Sequence, residues 1–134
     1  MGITAIIERA EDGGYAVRSE DIKGAYGYGL TEQEAKDDFM EVLAEQAGYY
    51  KERHGVYPGW YSAGGMSVEY RYDFSAFFQA FPFINVTRFA HEVGINPSLM
   101  RKYKSRISFA SDKQKQAIQQ KFKELVEKMN VVQF

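Results

Sequence analysis

The sequence predicts an α+β fold in two modules, on three observations. Short β-branched or alternating stretches, separated by glycine-rich turns, fill most of residues 1–73 around one long helical pattern. From residue 74 the apolar residues recur at helical spacing instead. Charge divides at the same place: 1–73 holds 7 Lys and Arg against 14 Asp and Glu, net −7, and 74–134 holds 10 against 4, net +6. The expected order is β-β-β-α-β over 1–73, then an all-α bundle over 74–134.

At 134 residues, 45% apolar and 16% aromatic, the chain can bury a core. It has no cysteine, so neither disulfides nor thiol chemistry are available. No apolar run reaches the roughly 20 residues a membrane span needs. The start of the chain lacks a basic leader and enters a strand pattern directly, so a cytoplasmic protein is expected.

Thr4–Ala10, rich in β-branched residues, is the first expected strand, and Glu11-Asp12-Gly13-Gly14 is a hairpin turn. Tyr15–Glu20 alternates as a half-buried strand. Asp21–Gly24 is a second turn, and Ala25–Gly29 a short glycine-rich strand at the sheet edge. Thr31 with Glu34 makes the Thr-x-x-Glu capping box of a helix running to about Tyr50. Its inner face carries Ala35, Phe39, Val42, Leu43, Gln46 and Ala47, and its wet face Glu32, Lys36, Asp37 and Glu41. Glu52–Gly65 breaks the pattern with Gly55, Pro58, Gly59, Gly64 and Gly65 among Tyr57, Trp60 and Tyr61. Ser67–Tyr72 alternates again as a fourth strand.

Phe74–Phe83 carries no charge, Phe74, Phe77, Phe78 and Phe81 have helical spacing, and the stretch is expected to be the first helix of the bundle, with Pro82 near its end. Asn85–Ser105, NVTRFAHEVGINPSLMRKYKS, then reads as two short helices around a turn. Asn85 is a candidate N-cap; Phe89, Ala90 and Val93 share a face; Gly94 supplies the left-handed stop. Asn96 caps the second helix with Pro97 at its first position. Met100 and Tyr103 point inward, Arg101, Lys102 and Ser105 outward. This is the pattern of the DNA-binding helix-turn-helix, in which the second helix enters a major groove. An ordinary αα-hairpin is the plainer alternative, and the basic surroundings favour DNA. After a connection at Ile107–Ala110, Ser111 caps a last helix with the stripe Ile118, Phe122, Leu125 and Met129.

Catalysis has little support. Glu11, Asp12 and Asp21 fall in turns, and Asp37 and Glu41 on a wet helix face, so the acidic residues do not converge as a two-metal nuclease requires. His54 and His91 lack metal-ligand spacing. Gly24, Gly27 and Gly29 precede no Gly-Lys-Ser/Thr, which argues against a nucleotide loop. The expectation is no enzyme, no cofactor and no metal. Tyr49, Tyr50, Tyr57, Trp60 and Tyr61 are either a binding patch or, more simply, packing under a long loop.

The succession IIERAEDGGYAVRSEDIKGAYGYGLTEQEA resembles that of the HicB antitoxins. In that family a strand, a glycine-rich hairpin, two further strands and a helix opening Thr-x-x-Glu-Ala follow in order. Gly13, Gly14, Tyr15, Gly24, Gly29, Thr31, Glu34 and Ala35 sit in matching places. The run NVTRFAHEVGINPSLMRKYKS resembles the family's helix-turn-helix form, with its Asn-Pro-Ser-Leu turn. Ala25 and Tyr26 stand where the family often has a Cys or other small residue followed by Thr or Val, and 57–61 has no match in its pattern.

The resemblance implies a trimmed RNase H-like module over 1–73 that binds a small basic mRNA-cleaving toxin, HicA-like. It further implies a second module over 74–134 that represses its own operon by binding the operator, as a homodimer or higher. Ser98, Arg101, Lys102 and Ser105 are expected to face the groove, with Asn96 at the helix start. Arg101 is the first candidate for guanine, and Thr87, Arg88 and Lys104 for phosphates. The competing expectation is a stand-alone transcription regulator whose first module senses or dimerises.

Overall fold

The computed structural model describes residues 2–61 and 65–134; the expected turn residue Gly64 lies outside them. Among the described residues the order is β1 (Ile3–Arg9), β2 (Tyr15–Ser19), β3 (Tyr26–Gly29), α1 (Glu32–His54), β4 (Val68–Tyr72), α2 (Ser75–Ala80), α3 (Val86–Val93), α4 (Pro97–Lys104), β5 (Ala110–Ser111) and α5 (Asp112–Asn130). The fold is α+β, and its sheet runs β3-β2-β1-β4-β5. The chain divides into two compact units, Met1–Arg71 and Tyr72–Phe134, so the division falls inside β4.

In the first unit β1 and β2 form an antiparallel hairpin with Ile7 opposite Val17 and Arg9 opposite Tyr15. Gly13 turns the hairpin at φ 90°, and Asp12 Oδ1 accepts the Gly14 N–H at 2.9 Å. Ile3, Ala5, Ile6 and Ile7 of β1 are all buried, as befits a strand flanked on both sides. β3 pairs antiparallel with β2, Val17 opposite Gly27 and Tyr15 opposite Gly29.

The glycines of β3 exist because α1 lies directly on them. A Cβ on Gly27 would stand 2.6 Å from Ala35 O and from Phe39 N; one on Gly29 would stand 2.5 Å from Ala35 N. Buried Ala35, Phe39, Leu43 and Ala47, four residues apart, form the face α1 turns to the sheet. Thr31 Oγ1 accepts the Glu34 N–H at 3.1 Å, and Glu34 Oε2 accepts the Leu30 N–H at 3.1 Å, closing the capping box. The helix outlasts its expected end at Tyr50 by four residues. Lys51, Arg53 and His54 complement its C-terminal dipole, and Gly55, at φ 80°, terminates it. Two residues expected on the wet face are partly covered: Lys36 pairs with Glu32 at 3.1 Å and lies 4.6 Å over the Tyr70 ring.

The second unit corrects two expectations. Phe81 and Phe83 do not belong to the helix begun at Ser75, because Pro82 forces its predecessor out of the helical region; Phe81 has φ −126° and ψ 66°. Nor is the unit all-α: Ala110–Ser111 forms β5, a strand too short to show any period. Its core is aromatic. Phe77 lies 5.1 Å from Phe89 and 5.4 Å from Phe122, ring centre to ring centre, and Phe74 lies 5.9 Å from Tyr103. Tyr103 is fully buried and its hydroxyl meets Gln114 Oε1. Ser111 Oγ accepts the Gln114 N–H at 3.2 Å and starts α5. The α5 stripe is covered at Ile118, half-covered at Phe122 and Leu125, and exposed by Met129.

Candidate nucleic-acid interface

The elements that carry the candidate side chains are set by their caps. Asn85 Oδ1 accepts the Arg88 N–H at 2.9 Å and starts α3. Gly94, at φ 74°, ends it, and the Ile95 N–H reaches back to Ala90 O at 2.9 Å. Asn96 Oδ1 then accepts the N–H groups of Ser98 and Leu99, at 2.8 and 3.3 Å, and Pro97 opens α4. Phe89, Ala90, Val93, Met100 and Tyr103 are buried, with Ala90 and Met100 wholly so. The lack of side-chain volume at Ala90 lets the helices approach.

The outward residues follow from that inward set. Thr87, Arg88, Asn96, Ser98, Arg101, Lys102, Lys104 and Ser105 are all exposed. At 3.6 residues per turn, Ser98, Arg101, Lys102 and Ser105 share one side of α4 and Lys104 flanks it. Residues 85–106 contain five cations, Arg88, Arg101, Lys102, Lys104 and Arg106, against the single anion Glu92. A surface of this sign attracts phosphate, and exposed guanidinium and hydroxyl groups can read base edges.

Several candidates are already engaged. Arg101 Nη1 donates to Thr87 Oγ1 at 3.2 Å, joining a residue of α3 to one of α4. Ser105 Oγ donates back to Arg101 O at 2.8 Å, so that hydroxyl closes the helix end as well as lying on its outer side. No local pattern singled out Arg106, which holds φ 62° and lies with Nε 3.0 Å from Asp73 Oδ2. The Asp73 carboxylate is buried, and its Oδ1 accepts the Ser75 N–H at 2.8 Å. A glycine at 106 would have flagged the turn; an arginine conceals it.

The first unit presents a different surface. Along β3, Tyr26 and Tyr28 are exposed while Gly27 and Gly29 are buried. The Tyr28 hydroxyl bonds Asp12 and holds that carboxyl below its ordinary range; Asp12 in turn raises the Tyr28 phenol. Desolvation first, and then the charge of Asp37, raise the Tyr70 phenol. The Tyr28 N–H donates to Asp38 Oδ2 at 2.9 Å, occupying a backbone donor of the edge strand.

Among the described residues no three His, Cys, Asp or Glu side chains are grouped to hold a metal. His91 is exposed, and His54 stacks on Tyr50 at 4.2 Å. The aromatic stretch after α1 is partly packed: Tyr57 lies 4.9 Å from Tyr61, and Lys51 sits 4.5 Å over Tyr57. Trp60 and Tyr61 are half-buried, Tyr49 and Tyr57 exposed. No helix among the described residues is long and apolar enough to cross a membrane. Compared with protein-family models, with curated proteins and with solved structures, the chain matches none.

Proposed function

We propose that the chain is a DNA-binding antitoxin that represses its own operon. Its second unit would act as a helix-turn-helix, with α4 in the major groove. The observation that carries this reading is the combination on α3 and α4: two asparagine caps, a left-handed Gly94 turn, and an outward side holding Ser98, Arg101, Lys102 and Ser105, with Glu92 the single anion within residues 85–106. Arg101 reads a base, and Arg88 and Lys104 hold phosphates, from a cytoplasmic protein acting as a homodimer on paired half-sites. The first unit neutralises a small basic mRNA-cleaving toxin. Its net acidic charge and its exposed Tyr26 and Tyr28 support that role, since opposite charge speeds encounter and tyrosines anchor interfaces.

Two experiments test it. Arg101→Ala should weaken operator binding by about 1–3 kcal/mol and relax the preference at one base pair; unchanged binding would exclude Arg101 as the reader. The chain should co-purify with the product of a small basic reading frame beside its own gene. Failure with every small neighbour would remove the toxin-binding half of the proposal.

A further inference from the structure

We infer that Thr87 is a positioning residue for Arg101, an assignment that rests on the DNA-binding reading above and adds a second residue to base recognition. Thr87 stands in the first turn of α3 and Arg101 in the middle of α4, fourteen positions apart, and the Gly94 turn brings them together. Both side chains are exposed, so burial does not fix either one.

A free arginine side chain at a protein surface samples many rotamers, and ordering it on binding opposes affinity. The bond from Nη1 to Thr87 Oγ1, at 3.2 Å, removes part of that freedom before DNA arrives. The guanidinium carries five N–H donors in a rigid plane. Spending one on Thr87 fixes the plane and leaves others to grip the O6 and N7 acceptors of a guanine. Threonine suits this position for a second reason. Its hydroxyl accepts from Arg101 and still has its own hydrogen to donate. A phosphate oxygen beside the start of α3 could take that hydrogen, so one hydroxyl would tie the backbone contact to the base contact. Thr87 thus does more than the phosphate contact its sequence position suggests.

The test uses the full chain and a duplex selected from a randomised pool by the wild-type protein, together with that duplex carrying single-pair changes. Thr87→Val keeps the shape and removes the acceptor. It should reduce discrimination at the one base pair read by Arg101 by about tenfold, with discrimination at other positions retained. Thr87→Ser should restore it. The single losses in Thr87→Val and Arg101→Ala should not add in the double variant, because both remove one contact. Equal weakening on every duplex, with discrimination intact, overturns the assignment and leaves Thr87 as a phosphate contact only. In parallel, nitrogen-15 NMR of the free protein should show, among its slowed guanidinium groups, one that Arg101→Ala removes and Thr87→Val releases. Its absence overturns the assignment independently of DNA. If the pool yields no preferred sequence while that signal is present, the DNA-binding reading has failed and Thr87 is a structural contact alone.

Discussion

Arg106 ends α4 in the conformation that Gly94 adopts at the end of α3, and the buried carboxylate of Asp73 holds it there. The two helices stop alike. Gly94, at φ 74°, lets the Ile95 N–H reach Ala90 O; Arg106, at φ 62°, lets the Ile107 N–H reach Lys102 O, both at 2.9 Å. Glycine adopts the left-handed region freely, whereas arginine does so at a cost of about 1–2 kcal/mol. Asp73, whose side chain is 0% exposed, needs a counter-charge, and Arg106 Nε at 3.0 Å supplies it. The sequence accepts backbone strain to neutralise a buried anion at the end of the helix proposed to read DNA.

Two substitutions separate these terms. Arg106→Ala keeps the left-handed strain and abandons the carboxylate. Since Arg106 is half exposed, the cost should be about 1–3 kcal/mol rather than the larger figure for a fully buried pair. Arg106→Gly also loses the pair but relieves the strain, and should be about 1 kcal/mol more stable than Arg106→Ala. Urea unfolding of the three proteins measures both differences. Equal midpoints for the alanine and glycine variants would show that the left-handed backbone at 106 carries no cost.

The packing of α1 on β3 predicts opposite effects for two glycines. Gly27→Ala drives a methyl against the backbone of Ala35 and Phe39, atoms that cannot move without shifting the helix. It should destabilise the first unit by about 1–3 kcal/mol. Gly48, within α1, has nothing within 4 Å of an added Cβ. Gly48→Ala should therefore stabilise by about 0.5–1 kcal/mol through helix propensity. Thermal melts monitored by circular dichroism read both.

The Tyr28–Asp12 bond predicts a stability difference bounded by pH at both ends. Asp12 is held below its ordinary value of 3.8, so its contribution is present above that value and disappears as pH falls through the lowered one. Tyr28 is held above its ordinary 10.0, so its contribution is present below that value and disappears as pH rises through the raised one. Tyr28→Phe removes the bond. Wild type and variant should differ across the range between those limits and converge towards each extreme. A difference that persists unchanged into strong acid would mean that the phenol acts through another partner.

Much of the chain was legible because its signals are local. Thr31 with Glu34, Asn85, Gly94, Asn96 with Pro97, and Ser111 each act within four residues, and a linear reading finds them. Pro82 marked a helix end nearby, but the helical spacing of Phe74, Phe77, Phe78 and Phe81 before it carried the expected helix past Ala80, where it stops. β5 could not be read, since two residues have no alternation. The contacts that organise the candidate interface are not local. Thr87 with Arg101 and Asp73 with Arg106 depend on tertiary approach over 14 and 33 positions, and nothing in either residue's neighbours encodes the partner. The outer side of α4 was inferable only as the remainder left by Met100 and Tyr103.

Binding of the purified chain to the DNA upstream of its own coding sequence, followed across a salt series, decides whether α3 and α4 recognise DNA. A helix-turn-helix acting as proposed retains that DNA over random duplex, with affinity falling steeply as salt rises because several cations around α3 and α4 displace phosphate counterions. Equal affinity for both duplexes at every salt concentration would contradict it: α3 and α4 would then be scaffold, and the acidic first unit would hold the protein's function.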